Sequence, residues 1–244
     1  MTQRLLALAL VSMPVVLMGS EAFTNGNDEA LGFLQNAMRD RASGYNARAE
    51  AEYRRALTLI ERRAGPQTAD LTPVLNGLAG LCFEERRYTE AERYSLRSAA
   101  LAEASLGAEH PLLATALHNL GAIYYAQGQY EKAAPLYERA LKIREKSLGE
   151  NHAFVAATLA AMAELDSAQG NHELAAARYA RALKIREAAY GADDPRVAET
   201  LVNYAAVLRR GCHRHAAAMA EARSRAILAQ SAFRSPGRDV ALTH

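Results

Sequence analysis

Ala140-Leu141-Lys142-Ile143-Arg144-Glu145 recurs unchanged as Ala182-Leu183-Lys184-Ile185-Arg186-Glu187, 42 residues further on. The same interval separates Gly65, Gly107, Gly149 and Gly191. A fixed period of about 20 to 50 residues marks units that cannot bury their own apolar face and must stack on their neighbours. The pattern therefore reads as a repeat protein whose class of action is a binding scaffold.

Aligned on the glycines, units two to five share Leu75, Leu117, Leu159 and Leu201, followed three residues later by Leu78, Leu120, Met162 and Tyr204. This spacing places them on one helical face, with Ala79, Gly121, Ala163 and Ala205 beside them, small enough for a neighbouring helix to approach closely. A turn follows at Gly44, Gly128 and Gly170, and Arg86 and Cys212 hold that place in the other two units. Glycine suits such a turn because it accepts positive φ without penalty. The second helix then carries Ala49, Ala91, Ala133, Ala175 and Ala217, next Tyr53, Ser95, Tyr137, Tyr179 and Glu221, and last Ala56, Ser98, Ala140, Ala182 and Ser224. Small, large, small on one face is a knob set between two closely packed helices.

This order of residues resembles the tetratricopeptide repeat, best in the third unit with Leu117, Leu120, Gly121, Tyr124, Ala133, Tyr137 and Ala140. The 42-residue length and the ending Gly107-Ala108-Glu109-His110-Pro111 resemble the kinesin-light-chain subtype. The resemblance spans residues 28–230 and implies an all-α fold, a right-handed superhelical solenoid of about five helix-turn-helix repeats. They are expected near residues 28–65, 69–107, 111–149, 153–191 and 195–230. The first is weak, with Phe33 and Asn36 at leucine positions, and reads as a cap. The fifth, with Arg214, Glu221, Ser224 and Arg225, reads as a terminal helix with a wetter outer face. Asp166 stands where the third unit has Tyr124, and a buried carboxylate there needs a donor.

At the N-terminus, Arg4 precedes an apolar stretch from Leu5 to Met18 broken only by Ser12 and Pro14, and Ser20 and Ala22 follow. It is shorter than the roughly 20 residues that span a bilayer. The layout is that of a signal peptide, residues 1–22, cleaved near Ala22, with residues 23–27 a polar linker. The protein is then expected to be secreted or periplasmic; the alternative is an uncleaved anchor. Residues 231–244, with Pro236 and Gly237, are expected to be a flexible tail.

The 29 basic and 27 acidic residues leave a formal charge of +2, too small to argue for nucleic acid or an anionic membrane. Removing residues 1–22 deletes Arg4 and Glu21 and leaves that balance unchanged. Export would favour disulfides, yet the register sets Cys82 and Cys212 three units apart, too far for a bridge.

Gly211-Cys212-His213-Arg214-His215 is the one cluster that invites metal or thiol chemistry. Zinc wants three or four ligands in tetrahedral array, and no supporting Cys or His group accompanies the cluster, so a solvated turn is the better reading. No nucleophile elbow, zinc-protease helix or phosphate loop is present. No cofactor, metal, small-molecule substrate or enzymatic activity is expected. His110, His152 and Asp194 precede the first helices of units three to five, with Pro111 and Pro195 next, and read as helix caps. Lys142, Arg144, Lys184 and Arg186, alternating with Glu145 and Glu187, read as a solvated helix face.

In the family this chain resembles, first helices line a concave groove that reads a ligand. Carried over by register, the groove positions are Asn76 and Phe83 in the second unit, His118, Asn119 and Tyr125 in the third, Glu164 and Ser167 in the fourth, and Val202, Asn203, Arg209 and Arg210 in the fifth. Asparagines can hold the backbone of an extended peptide, and aromatics can anchor apolar side chains. The expected partner is another protein, through a peptide segment or a helix. The alternative is a self-associating structural module.

Overall fold

The computed structural model describes residues 28–234. These form ten α-helices and no strand, and the chain divides into two compact units, residues 1–148 and 149–244. The expected signal segment and linker lie outside the described residues.

The first unit holds three antiparallel hairpins: α1 (Asp28–Ala42) with α2 (Asn46–Ala64), α3 (Leu71–Glu84) with α4 (Tyr88–Leu106), and α5 (Pro111–Ala126) with α6 (Tyr130–Leu148). Each second helix also packs on the first helix of the next hairpin, α2 on α3 and α4 on α5, and α3 touches α5 directly. The second unit holds α7 (Ala153–Ala168) with α8 (His172–Tyr190) and α9 (Pro195–Arg210) with α10 (Arg214–Arg234), and α8 packs on α9. The last helix thus runs past residue 230 into the stretch expected to be a tail.

The seam matches the period. Leu75, Leu117, Leu159 and Leu201 are all buried, as are Ala49, Ala91, Ala133, Ala175 and Ala217 on the second helices. Where serine replaces the alanine of the last small position, its hydroxyl finds an oxygen in its own hairpin: Ser98 Oγ donates to Asn76 Oδ1 at 2.8 Å, with Thr72 O at 3.3 Å, and Ser224 Oγ donates to Ala198 O at 3.0 Å. Ser224 therefore belongs to the seam and not to a wet face. The outer face of α10 is also less polar than expected, with Met219 and Leu228 exposed.

The first hairpin is complete despite its weak consensus. Its buried residues on α1 are Ala30, Leu34 and Ala37, so the seam falls one residue after Phe33 and Asn36.

All five hairpins turn identically. The N–H groups of Tyr45, Arg87, Gln129, Asn171 and His213 each donate to a carbonyl five residues back at 2.8 Å. This closure needs a left-handed residue just before the donor. Gly44, Gly128 and Gly170 supply it at φ +80, +74 and +86°, while Arg86 and Cys212 are forced to +60 and +65°.

The caps also stand as read. His110 Nδ1 and His152 Nδ1 accept from the N–H groups of Leu112 and Phe154, each at 3.2 Å, and Asp194 Oδ1 accepts from Arg196 N at 2.9 Å.

A further expectation fails. Lys142 and Lys184 are exposed, but Arg144 is 3% exposed and Arg186 is partly buried. Their register position is that of Ile60 and Ala102, both fully buried, so it faces the stack and not solvent. Burial lowers the Arg144 guanidinium to about 9. Arg186 Nη1 crosses to α9 and donates to Thr200 Oγ1 at 2.5 Å.

Candidate functional site

In the first unit, four of the expected groove residues are buried, and the two asparagines among them are hydrogen-bonded within the fold. Asn76 accepts from Ser98 Oγ at 2.8 Å and donates from Nδ2 to Leu112 O at 3.3 Å, so it ties α3 to both α4 and α5. Asn119 Nδ2 points to Asn76 O at 3.5 Å. The His118 ring lies 5.4 Å from that of Tyr137, and Phe83 lies 5.6 Å from Tyr88. Each of these four is 6% exposed or less, so none stands open to a ligand. Tyr125 is half-buried, with its ring 5.6 Å from Tyr130.

Small residues on α3 explain the crowding. A Cβ at Gly77 would lie 2.3 Å from the Tyr53 ring, and one at Gly80 would lie 2.6 Å from the Arg41 guanidinium. Close approach lets side chains from the preceding hairpin lie across α3. Arg41 then reaches Glu84 with two hydrogen bonds, at 2.8 and 3.3 Å, a forked pair among the better-shielded ion pairs of the molecule.

The second unit is more open. Glu164 is partly buried and accepts from the Tyr179 hydroxyl. Burial pushes its carboxyl upward, against the opposing pull of Tyr179 and Arg210. Arg210 Nη1 donates to Ser167 Oγ at 2.8 Å, the register counterpart of the Arg41–Glu84 pair. Arg209 is exposed and pairs with Glu221 of α10. Val202 is 45% exposed on α9, and Asn203 beside it is partly buried. Asp166, on α7, is buried and paired with Arg178 of α8 at 2.6 Å, which supplies the donor its position demands.

Sequence reading passed over a second ladder. Arg97 pairs with Glu61 at 2.8 Å, Arg139 with Glu103 at 2.5 Å, and Arg223 with Glu187. Arg97 also donates to Pro66 O at 2.9 Å, and Arg223 to the matching Ala192 O at 3.3 Å. Each arginine on a second helix thus clasps the second helix of the preceding hairpin. The signal was present, since Arg55, Arg97, Arg139, Arg181 and Arg223 keep the 42-residue period.

The residue 211–215 cluster forms the last turn. His213 Nε2 sits 2.7 Å from Glu173 Oε1, and Cys212 is an exposed free thiol. Cys82 is buried and also free, its thiol pushed up to about 11 by burial. Among the described residues, no group of three or more His, Cys, Asp or Glu side chains is placed to hold a metal ion.

Five hairpins on one 42-residue period, with one turn geometry and matching seam positions, agree with the comparisons to known proteins. A profile of the tetratricopeptide repeat matches residues 70–146, 117–188 and 154–230. The chain belongs to the tetratricopeptide-repeat family. Among solved structures, the tetratricopeptide-repeat fold of this chain is similar to BtubC (BKLC) from P. vanneervenii, with TM-score 0.68 at 23% identity over 94% of this chain and 96% of that one. A kinesin-light-chain-type protein of Podosopora anserina with nearly identical repeats gives TM-score 0.68 at 19% identity over 86% and 100% of the two chains. The apo form of RapI gives 0.61 at 16% over 87% and 88%. At such identities the likeness is one of fold. No curated protein matches the chain significantly.

Proposed function

We propose that this chain is an exported, non-catalytic scaffold that holds a peptide or helical segment of another protein on the first-helix face of its second unit. Repeat proteins of this family present rigid surfaces to protein partners. The observation that carries the reading is the α9 surface. Val202, 45% exposed, offers an apolar anchor beside the amide of Asn203 and about two turns from Arg209, which stays exposed while paired with Glu221. An apolar contact flanked by an amide and a positive charge suits a segment with one apolar and one acidic side chain.

In-cell photocrosslinking from a reactive amino acid at Val202, with adducts identified by mass spectrometry, tests it. One dominant foreign partner, lost on Arg209→Ala, is the expected result. Adducts only to copies of this chain, or none at all, overturn the reading, and the first of these favours self-assembly.

Export rests on the Leu5–Met18 stretch and the small residues after it. N-terminal sequencing of the protein from the producing cell should find a new terminus close to Phe23. An intact Met1 on cytoplasmic protein overturns it.

A further inference from the structure

Among the described residues, the ladder of arginines has an open rung at its start. Arg55 on α2 occupies the register of Arg97, Arg139 and Arg223, each of which grips a glutamate 36 residues back. Thirty-six residues before Arg55 stands Gly19. Arg55 instead makes a local contact with Glu52 and remains 63% exposed at its side chain, against 35% for Arg97 and 41% for Arg139.

Among the described residues, the apolar side of the same face is also uncovered. In the second hairpin, Leu75 and Leu101 are 0 and 5% exposed. Their counterparts in the first hairpin, Phe33 and Leu59, are only partly buried and line a cleft of about 370 Å³. Arg54, Arg55 and Arg62 border it, with Glu29 the one acidic member of the lining. What α2 does for the second hairpin, nothing among the described residues does for the first.

We infer that this face of α1 and α2 docks an amphipathic helix from a partner protein, which sets a glutamate or aspartate against Arg55 and an apolar ridge against Phe33 and Leu59. The chemistry of the occupant is copied from inside the molecule, since the second helices that cover the later hairpins present that combination at Glu61, Glu103 and Glu187. Arg62 borders the cleft with Arg54 and Arg55, which are held locally by Glu50 and Glu52 yet stay more than half exposed, and this basic rim suits an acidic helix. A second copy of the chain stacking head to tail would bring its last helix, which carries Ala229 where the glutamate belongs. A helix of a different protein fits this charge pattern better than a second copy does. This extends the scaffold reading to a second surface and shares no residue with the Val202 face.

The test uses a fluorescent peptide of α4, residues 88–106, whose last turn carries Glu103 and no basic residue, titrated into the full chain by anisotropy. Arg55→Ala should weaken binding about fivefold, the range of a partly shielded ion pair with a backbone acceptor. The charge exchange, Arg55→Glu in the protein with Glu103→Arg in the peptide, should restore it. Circular dichroism of the exposed-site variants controls for folding. No binding of the peptide, equal binding to Arg55→Ala, or failure of the exchange overturns the inference. So does a dimer in light scattering that Arg55→Ala dissolves, which would give the face to a second copy. Peptide binding at Arg55 without crosslinks at Val202, or the reverse, separates this surface from the proposed first-helix site.

Discussion

Arg178 on α8 reaches Asp166 on α7 at 2.6 Å, and this ion pair replaces the tyrosine that the preceding repeat carries at residue 124. Asp166 is 8% exposed at its side chain and Arg178 22%, so the carboxylate is shielded while the guanidinium keeps some water. Asp166→Ala should lower unfolding free energy by about 1–3 kcal/mol, since it strands a partly buried cation. Urea titration reads the change as a shifted midpoint with an unchanged slope. An unmoved midpoint would mean that water replaces the carboxylate at no cost.

Gly121 and Tyr137 form a size-matched pair, as a Cβ on Gly121 would lie 2.7 Å from the Tyr137 ring. The second repeat meets the same requirement in the opposite way, with Ala79 against Ser95 in those register positions. Gly121→Ala is expected to cost about 1–3 kcal/mol through overpacking. Placed on a Tyr137→Ser background, the same substitution should cost less than about 0.5 kcal/mol. A double-mutant cycle by denaturation measures the coupling directly. Additive effects would show that the ring moves aside freely.

Features that depend on one unit and its period were legible in the sequence: the leucine seam, the turn glycines and the His110, His152 and Asp194 caps. Features that depend on how closely neighbouring hairpins approach were not. Asn76 and Asn119 carry the residue type of a peptide-binding site, yet both are buried, and Gly77 and Gly80 let Tyr53 and Arg41 of the preceding hairpin close over that region. Arg144 lies among charged neighbours, and only its register with Ile60 and Ala102 reveals that its side faces the stack. The Arg–Glu ladder lies between these cases, periodic in the sequence but visible as pairs only once the hairpins are stacked.

His118 should make the first unit acid-sensitive. Its imidazole is fully buried, and desolvation, then the charge of Arg144, hold its pKa well below the usual value of 6.5. Below pH 6.5 the unfolded chain takes up a proton there that the folded chain refuses, so stability rises with pH up to that value and falls as the medium is acidified. The loss between pH 7 and pH 5 from this residue has a ceiling of about 2 kcal/mol, reached when the folded imidazole takes up no proton in that range. His118→Leu, which installs the type of its buried counterpart Leu34, should remove that part of the pH dependence. Urea midpoints of both proteins at pH 5, 6 and 7 decide it, and parallel curves would place the acid sensitivity elsewhere.

Arg86 and Cys212 sit at φ +60 and +65° in turns whose counterparts are glycines. A side chain in the left-handed region costs about 1–2 kcal/mol, whereas glycine adopts it freely and loses part of that gain to its larger unfolded-state entropy. Arg86→Gly and Cys212→Gly should therefore each stabilise by about 0.5–1 kcal/mol, a rise of about 1–4 °C in Tm for a chain of this size. Gly128→Arg should shift Tm the opposite way. The turn hydrogen bonds from Arg87 N to Cys82 O and from His213 N to Leu208 O, both 2.8 Å, are backbone bonds that the substitutions leave in place. Thermal unfolding of the three variants reads the strain of the turn itself, and no rise in either glycine variant would mean that these bonds hold the left-handed residue without measurable cost.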